Sequence, residues 1–164
     1  MNEPVLFSPF QIKSKTLRNR VVLSPMCQYK AQNGIVSDWH FQHYSRFAFS
    51  GLGAAFIEAT GVSPDGRIGH GCTGIWDDLH VRGLSKIVEV FKQYNCVSGI
   101  QLAHAGRKAS FLRPWDGASP ITKDDKKEPS WQTMGPSAIP INNHSPVPKA
   151  MTIEDIERVK SDFR

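Results

Sequence analysis

The chain has 164 residues, of which 40% are hydrophobic and 21% charged, an ordinary composition for one globular domain. Twenty lysines and arginines against fifteen acidic residues leave a formal net charge of +5, but the charges are dispersed and the densest run, residues 123–128, has mixed sign. Because a nucleic-acid-binding face needs clustered basic residues, this composition argues against nucleic-acid partners.

The N-terminus carries no basic segment followed by a long apolar stretch, and no apolar run approaches the roughly 20 residues of a membrane helix. Cys27, Cys72 and Cys96 have no metal-like spacing. An odd number of cysteines without a leader indicates free thiols in a reducing compartment. We therefore expect a cytoplasmic protein with no metal site and no membrane partner.

In chain order, the first predicted element is a β-hairpin over residues 6–20, turning at Ser14 and Lys15. The apolar run 20–24 predicts a first core strand. Ser37 and Asp38 can cap a helix that continues to about Phe49, before Gly51 ends it.

A second strand is predicted over residues 54–62 and a third over 97–104. The apolar residues in these runs do not alternate, which predicts strands that are buried on both faces. Between them, residues 77–94 carry an apolar stripe at helical spacing, formed by Leu84, Ile87, Val88 and Phe91.

Residues 108–150 are rich in Pro, Gly, Ser and Asn and lack periodicity, which predicts a long loop on the active-site side of the domain. Thr152 and Asp155 have capping-box spacing, so a last helix is expected from there to the end of the chain.

This strand–helix succession predicts an α/β fold with a parallel sheet and one domain, residues 1–164, without an internal boundary. Only three β/α units can be counted, whereas a complete eight-fold barrel takes about 250 residues. We therefore interpret the chain as part of a larger fold.

Parallel β/α folds place their working residues where strands end. These positions hold "SPMCQY" (residues 24–29), "EAT" (58–60), Gln101 and "HAGRK" (104–108). The set of amides, one thiol, one phenol and two cations contains no neighbouring nucleophile and base. It is better suited to binding a flat, hydrogen-bonding ligand than to cleaving a bond.

Four segments, "SPMCQY", "EATGVSPDGRI", "GIWDD" and "GIQLAHAGRKAS", occur in this order. Together they resemble the Old Yellow Enzyme family of NADH:flavin oxidoreductases, and most of all its thermophilic-like, xenobiotic-reductase branch. The resemblance implies a (β/α)8 TIM barrel, of which this chain carries an N-terminal hairpin and about the first three β/α units. It also implies FMN as cofactor, NADPH or NADH as reductant, and a homo-oligomer at full length.

The activity implied by the resemblance is that of an ene-reductase. Such an enzyme reduces the C=C bond of an α,β-unsaturated carbonyl or nitro compound by ping-pong hydride transfer. The alternative is a non-catalytic, truncated half-barrel, because the family's substrate-binding His-x-x-His pair and its phosphate site belong to later strands.

The resemblance also assigns roles to individual residues. Cys27 would tune the reduction potential of the flavin, whereas Tyr29 and Lys108 would face the substrate. The cofactor-binding positions are Ser24, Pro25, Met26, Cys27, Ala59 and Gln101. For Gln101, an amide at a buried strand end offers the donor and the acceptor that a flavin pyrimidine edge requires.

Plainer interpretations remain for several of these residues. Cys27 fits an inert buried thiol, and Tyr29 an aromatic packed against the long loop. Arg107 and Lys108 fit loop cations that pair with the acid of "WDG". Glu58 fits a structural ion pair better than a catalytic acid.

The histidines of "HFQH", His40 and His43, fall on the first helix and not at a strand end. We therefore interpret them as helix-surface or packing residues and not as the substrate-binding pair of the family. Without further ligands they do not predict a zinc site.

Overall fold

The computed structural model describes residues 4–125 and 128–164. Within that part of the chain, no helix has the length and apolar character needed to span a bilayer. The helices are α1 (Asp38–Phe49), α2 (Asp78–Gln93) and α3 (Ile153–Asp162). The strands are β1 (Phe10–Ile12), β2 (Lys15–Leu17), β3 (Val22–Leu23), β4 (Ala54–Gly61), β5 (Thr73–Gly74), β6 (Val97–Ala103), β7 (Met134–Gly135) and β8 (Lys149–Ala150).

The chain starts with the predicted hairpin, in which β1 and β2 pair antiparallel. The turn lies at Lys13 and Ser14, one residue earlier than predicted. Lys13 adopts a left-handed conformation with φ of 49°, which lets the chain reverse within two residues.

The central sheet is parallel, and β4 is its middle strand. β6 pairs along the whole of β4, from Ala54 with Val97 to Gly61 with Ala103. β3 pairs with the beginning of β4 and β5 with its end, so both lie on the edge opposite β6. The predicted order of strand, helix, strand, helix and strand is confirmed.

Each helix begins at a capping box. Ser37 precedes α1 and Asp77 precedes α2, and in both cases the histidine three residues later accepts a hydrogen bond from the backbone N–H of the capping residue. Thr152 and Asp155 form the predicted box at α3. These caps pair backbone N–H groups that a helix start leaves without partners.

The core lies between α1, α2 and one face of the sheet. The stripe predicted on α2 faces inward, with Leu84 and Ile87 almost fully buried and Phe91 at 0% exposure. The core cluster comprises Tyr44, Ala48, Ala55, Ile57, Leu84, Ile87, Phe91 and Cys96.

The prediction that all three strands are buried on both faces is wrong. Val22 on β3 is 43% exposed, Phe56 on β4 is 39% exposed and Leu102 on β6 is 41% exposed. The core cluster takes its helical residues from α1 and α2, and none of these three exposed side chains belongs to it.

The long loop carries more structure than predicted. β7 and β8 pair in parallel within residues 134–150, and Ala109, Ile121 and Thr133 are buried. α3 has no buried residue, and Ile153 of its apolar stripe is 70% exposed. An ion pair from Arg158 to Asp65, at 3.1 Å, holds α3 against the segment that follows β4.

Candidate functional site

The turn that follows β3, residues 24–29, lies beside the end of β4. The backbone N–H of Gln28 donates a 2.7 Å hydrogen bond to Oε2 of Glu58. Tyr29 has φ of 53°, which is uncommon for a residue with a side chain. Its carbonyl accepts a 3.3 Å hydrogen bond from Nε of Arg113 in the long loop. Contacts from two other segments therefore hold this backbone in place.

The Cys27 thiol and the Tyr29 hydroxyl interact with each other at this turn. Burial, and then the negative charge of Glu58, raise the pKa of Cys27, although the backbone N–H of Ala59 and the Tyr29 hydroxyl oppose this effect. Burial also raises the pKa of Tyr29, to about 12. Both groups are therefore neutral hydrogen-bonding groups at neutral pH.

Ala59 and Gln101 lie side by side on neighbouring strands, because Ala59 of β4 pairs in register with Gln101 of β6. The expectation that Gln101 is buried is wrong, since its side chain is exposed on the open face of the sheet. Its amide has no hydrogen-bond partner among residues 4–125 and 128–164. An exposed amide needs none, but it is free to bind a ligand.

A pocket of about 430 Å³ brings three of the predicted cofactor-binding residues together. Ser24, Pro25 and Gln101 share its lining with the apolar residues Val22, Phe56 and Ile100. The ring of Phe56 covers Gly99, where an added Cβ would come within 2.5 Å of it. The pocket thus combines an aromatic floor with one amide and the backbone of the turn.

Met26 points away from this pocket. Its side chain is 49% exposed and lines a different surface depression together with Trp39 and His43. If Met26 contacts a ligand in the pocket, the contact involves its backbone.

Lys108 and Arg107 lie on a short 3-10 turn, Gly106–Lys108, and both are exposed. The alternative in which they pair with the acid of "WDG" is wrong, because Arg113 and not either of these residues lies 3.6 Å from Asp116. Arg107 donates instead to the carbonyl of Ile139, at 3.3 Å. Within the described part of the chain, Lys108 makes no ion pair.

The two histidines of "HFQH" lie on α1, as predicted. His40 is fully buried, and His43 packs edge-on against the rings of Tyr44 and Phe47. The described residues contain no group of three or more potential metal ligands.

Sequence reasoning missed an aromatic cluster at the rim of the site. Trp115, from the long loop, packs edge-on against Tyr29 with ring centroids 6.0 Å apart. The Lys30 ammonium lies 5.2 Å from the Trp115 ring and 5.4 Å from the Trp39 ring. The packing of Tyr29 against the loop was one of the two interpretations above, but nothing in the composition of "RPWDG" indicates which strand end the loop reaches.

Three comparisons with known proteins place this geometry in context. The family model described as the NADH:flavin oxidoreductase / NADH oxidase family matches residues 5–164. An NADPH dehydrogenase of Geobacillus thermodenitrificans is 43% identical over 162 residues, which are 98% of this chain and 42% of that protein. An NADPH dehydrogenase of Bacillus cytotoxicus is 40% identical, covering 97% of this chain and 41% of its own length.

Solved structures agree on the fold. Morphinone reductase superimposes with a TM-score of 0.79 at 23% identity, over 99% of this chain and 43% of its own. The old yellow enzyme from Trypanosoma cruzi gives a TM-score of 0.79 at 24% identity, over 98% and 46%. The chain therefore has the fold of part of a TIM barrel, as predicted, and spans about two fifths of the length of these relatives.

Proposed function

The chain belongs to the NADH:flavin oxidoreductase / NADH oxidase family, and we propose that it forms one wall of the FMN site in an NAD(P)H-dependent oxidoreductase of the Old Yellow Enzyme type. The 430 Å³ pocket is the position of the flavin ring in this proposal. The cofactor-binding residues are Ser24, Pro25, Met26, Cys27, Ala59 and Gln101.

The observation that carries the proposal is the pairing of Ala59 with Gln101 at the open face of the sheet. The pyrimidine edge of a flavin presents alternating hydrogen-bond donors and acceptors, and a glutamine amide offers one of each kind. Gln101 has no competing partner among the described residues, and the small side chain of Ala59 permits close approach to the backbone. Phe56 and Pro25 add apolar surface for a flat ring. These residues fit the ring of FMN.

When bound, FMN supplies the hydride transfer between NAD(P)H and the alkene. Gln101 and Ala59 orient the ring by its pyrimidine edge. Cys27 presents a neutral thiol beside it, since burial and Glu58 raise the pKa of this group. Tyr29, whose pKa is about 12, keeps its proton at neutral pH and can donate it in a hydrogen bond to a substrate oxygen.

We propose activated alkenes as substrates, namely α,β-unsaturated carbonyl or nitro compounds, with Tyr29 and Lys108 on the substrate side. Either NADPH or NADH serves as reductant. A cytoplasmic location and a homo-oligomer of the full-length enzyme belong to the same proposal.

A second candidate is that these 164 residues by themselves are not catalytic. The observation that favours it is the uncovered sheet face, on which Val22 and Phe56 are each about two fifths exposed. A parallel sheet with one face and its outer edges uncovered gives a flavin only one wall.

One experiment tests both candidates. The 164-residue chain is purified, supplied with excess FMN and NADPH, and followed for anaerobic consumption of cyclohexenone. A hybrid, in which residues 1–164 replace the matching region of the Geobacillus thermodenitrificans NADPH dehydrogenase, is assayed beside it. We expect turnover by the hybrid and none by the chain alone above the rate of free FMN.

Each outcome has a definite meaning. Turnover by the chain alone would contradict the second candidate. It would mean that copies of the chain assemble into a barrel. A folded hybrid that neither binds FMN nor turns over would refute the proposed flavin site, provided that the unmodified Geobacillus enzyme is active under the same conditions.

A further inference from the structure

Glu58 is a fully buried acid inside β4. The pairing of β4 with β6 shifts register between Ile57 and Ala59, so Glu58 occupies a β-bulge without a partner on β6. A bulge redirects the side chain that it carries, and bulges are frequent next to active sites. Burial of an unpaired carboxylate costs several kcal/mol. The partners of Glu58 therefore indicate which parts of the structure it stabilises.

The carboxylate of Glu58 links three elements. Oε2 accepts the 2.7 Å hydrogen bond from the backbone N–H of Gln28, in the turn that carries Cys27 and Tyr29. Oε1 accepts a 3.4 Å hydrogen bond from the Tyr44 hydroxyl on α1. That hydroxyl accepts in turn from the backbone N–H of Glu58, at 2.8 Å.

His40 completes this network from α1. Its Nδ1 accepts a 3.0 Å hydrogen bond from the backbone N–H of Ser37, which can only donate, so the neutral imidazole carries its proton on Nε2. Nε2 lies 3.4 Å from Oε1 of Glu58, and both side chains are fully buried. The N–H of His40 thus faces the carboxylate in an electrostatic contact.

We propose that Glu58 is a positioning residue for the candidate flavin site. It fixes the turn of residues 24–29 through the backbone of Gln28 and places a negative charge beside the Cys27 thiol. The role of this turn as a flavin wall rests on the proposed function, but the action of Glu58 on Cys27 does not.

Electrostatics support the same link. After burial, the charge of Glu58 is the largest cause of the raised pKa of Cys27. Loss of that charge lowers the pKa of Cys27 and raises the thiolate fraction at neutral pH. The titratable groups that face Cys27 or Glu58 are Tyr29 on the turn itself, His40, His43 and Tyr44 on α1, and Cys72 before β5.

The test uses Glu58→Gln, because glutamine keeps one oxygen that can accept from Gln28 and removes the charge, while an NH2 group replaces the second oxygen. The 164-residue chain is treated with iodoacetamide over neutral and mildly alkaline pH, and alkylation of each cysteine is followed by mass spectrometry of its peptide. We expect alkylation of Cys27 to accelerate roughly threefold or more at neutral pH, since thiolate is the reactive species.

Two controls separate this effect from a general loss of structure. Cys96 is 4% exposed, and burial is the main cause that raises its pKa; Arg18 is the only charged group among residues 4–125 and 128–164 that acts on it. Its alkylation therefore reports unfolding. Glu89→Gln removes an exposed carboxylate that pairs with Lys92 on α2, and it should leave the rate at Cys27 unchanged. An unchanged rate at Cys27 in folded Glu58→Gln would overturn the proposal, and so would equal acceleration at Cys27 and Cys96.

A second variant keeps the proposal testable if Glu58→Gln does not fold. Tyr44→Phe keeps the ring in the core and removes only the hydroxyl that holds Glu58. We expect faster amide hydrogen exchange at residues 24–29 and at the amide of Glu58, which loses its acceptor, with α2 unaffected. Unchanged exchange of residues 24–29 would overturn the positioning role.

Binding of FMN is measured separately, so the two proposals can fail independently. Faster alkylation without FMN binding by the folded hybrid would refute the flavin site and support the action of Glu58 on Cys27. FMN binding by the hybrid with an unchanged alkylation rate would support the flavin site and refute the action of Glu58 on Cys27.

Discussion

Gln101→Leu tests the proposed flavin site most directly. Leucine is close to glutamine in size but can neither donate nor accept a hydrogen bond. The side chain of Gln101 is exposed and has no hydrogen-bond partner among the described residues, so the substitution should change the free energy of unfolding by no more than about 0.5 kcal/mol. Any effect on FMN can then be assigned to lost contacts with the ligand.

The magnitude follows from the two hydrogen bonds that the amide can make to the pyrimidine edge. Each is worth about 0.5–1.5 kcal/mol net, so the loss of both weakens binding by about 1–3 kcal/mol, or roughly 5- to 150-fold in Kd. The assay is quenching of flavin fluorescence by the hybrid and its variants, followed by dialysis to measure FMN retention.

Gln93→Leu serves as the matched control, because Gln93 is also an exposed glutamine but lies at the end of α2. It should bind FMN like the unmodified hybrid. Retention of FMN by Gln101→Leu at the level of this control would refute the placement of Gln101 at the pyrimidine edge.

Three further predictions concern the thiols and the core. Cys27→Ala in the hybrid should shift the flavin midpoint potential and the rates of both half-reactions while FMN stays bound, because a thiol tunes the ring without anchoring it; unchanged potential and rates would contradict this role. Burial raises the pKa of Cys72 to about 11, so the folded chain keeps a proton that the unfolded chain loses above pH 9. Cys72 should therefore lower the free energy of unfolding by about 2–3 kcal/mol as the pH rises from 9 to 11. Urea titrations in which Cys72→Ala shows the same decrease as the unmodified chain would contradict this cause. Phe91→Ala should lower the free energy of unfolding by about 3–5 kcal/mol, because the ring is fully buried in the core. In the same urea assay, Phe49→Ala should lower it much less, because Phe49 is 60% exposed.

The sequence predicted the elements well where a local signal exists. The helix over residues 77–94 was recognisable because Leu84, Ile87 and Phe91 recur at helical spacing and face one side. Helix starts were recognisable because a capping residue forms its hydrogen bonds within three or four positions, as at Ser37 and Thr152. Both signals depend on neighbours along the chain.

The burial of the strands depends on distant partners, and there the predictions failed. An apolar run looks the same whether one face or both faces are covered, so exposure of Val22 and Phe56 could not be predicted from their own segments. Gln101 was expected to be buried for the same reason. Its exposure leaves the amide available to a ligand and removes any structural need for a protein partner.

The sequence by itself therefore determined the order of strands and helices, the ends at which chemistry-bearing residues gather, and the resemblance that named the family. Only the tertiary structure decided how those ends fit together. The bulge at Glu58 lies in the pairing of β4 with β6. His40 and Tyr44 of α1 contact Glu58 across 14 to 18 residues of sequence. Because a buried carboxylate requires partners in three dimensions, no local pattern could have assigned Glu58 to the turn that carries Cys27.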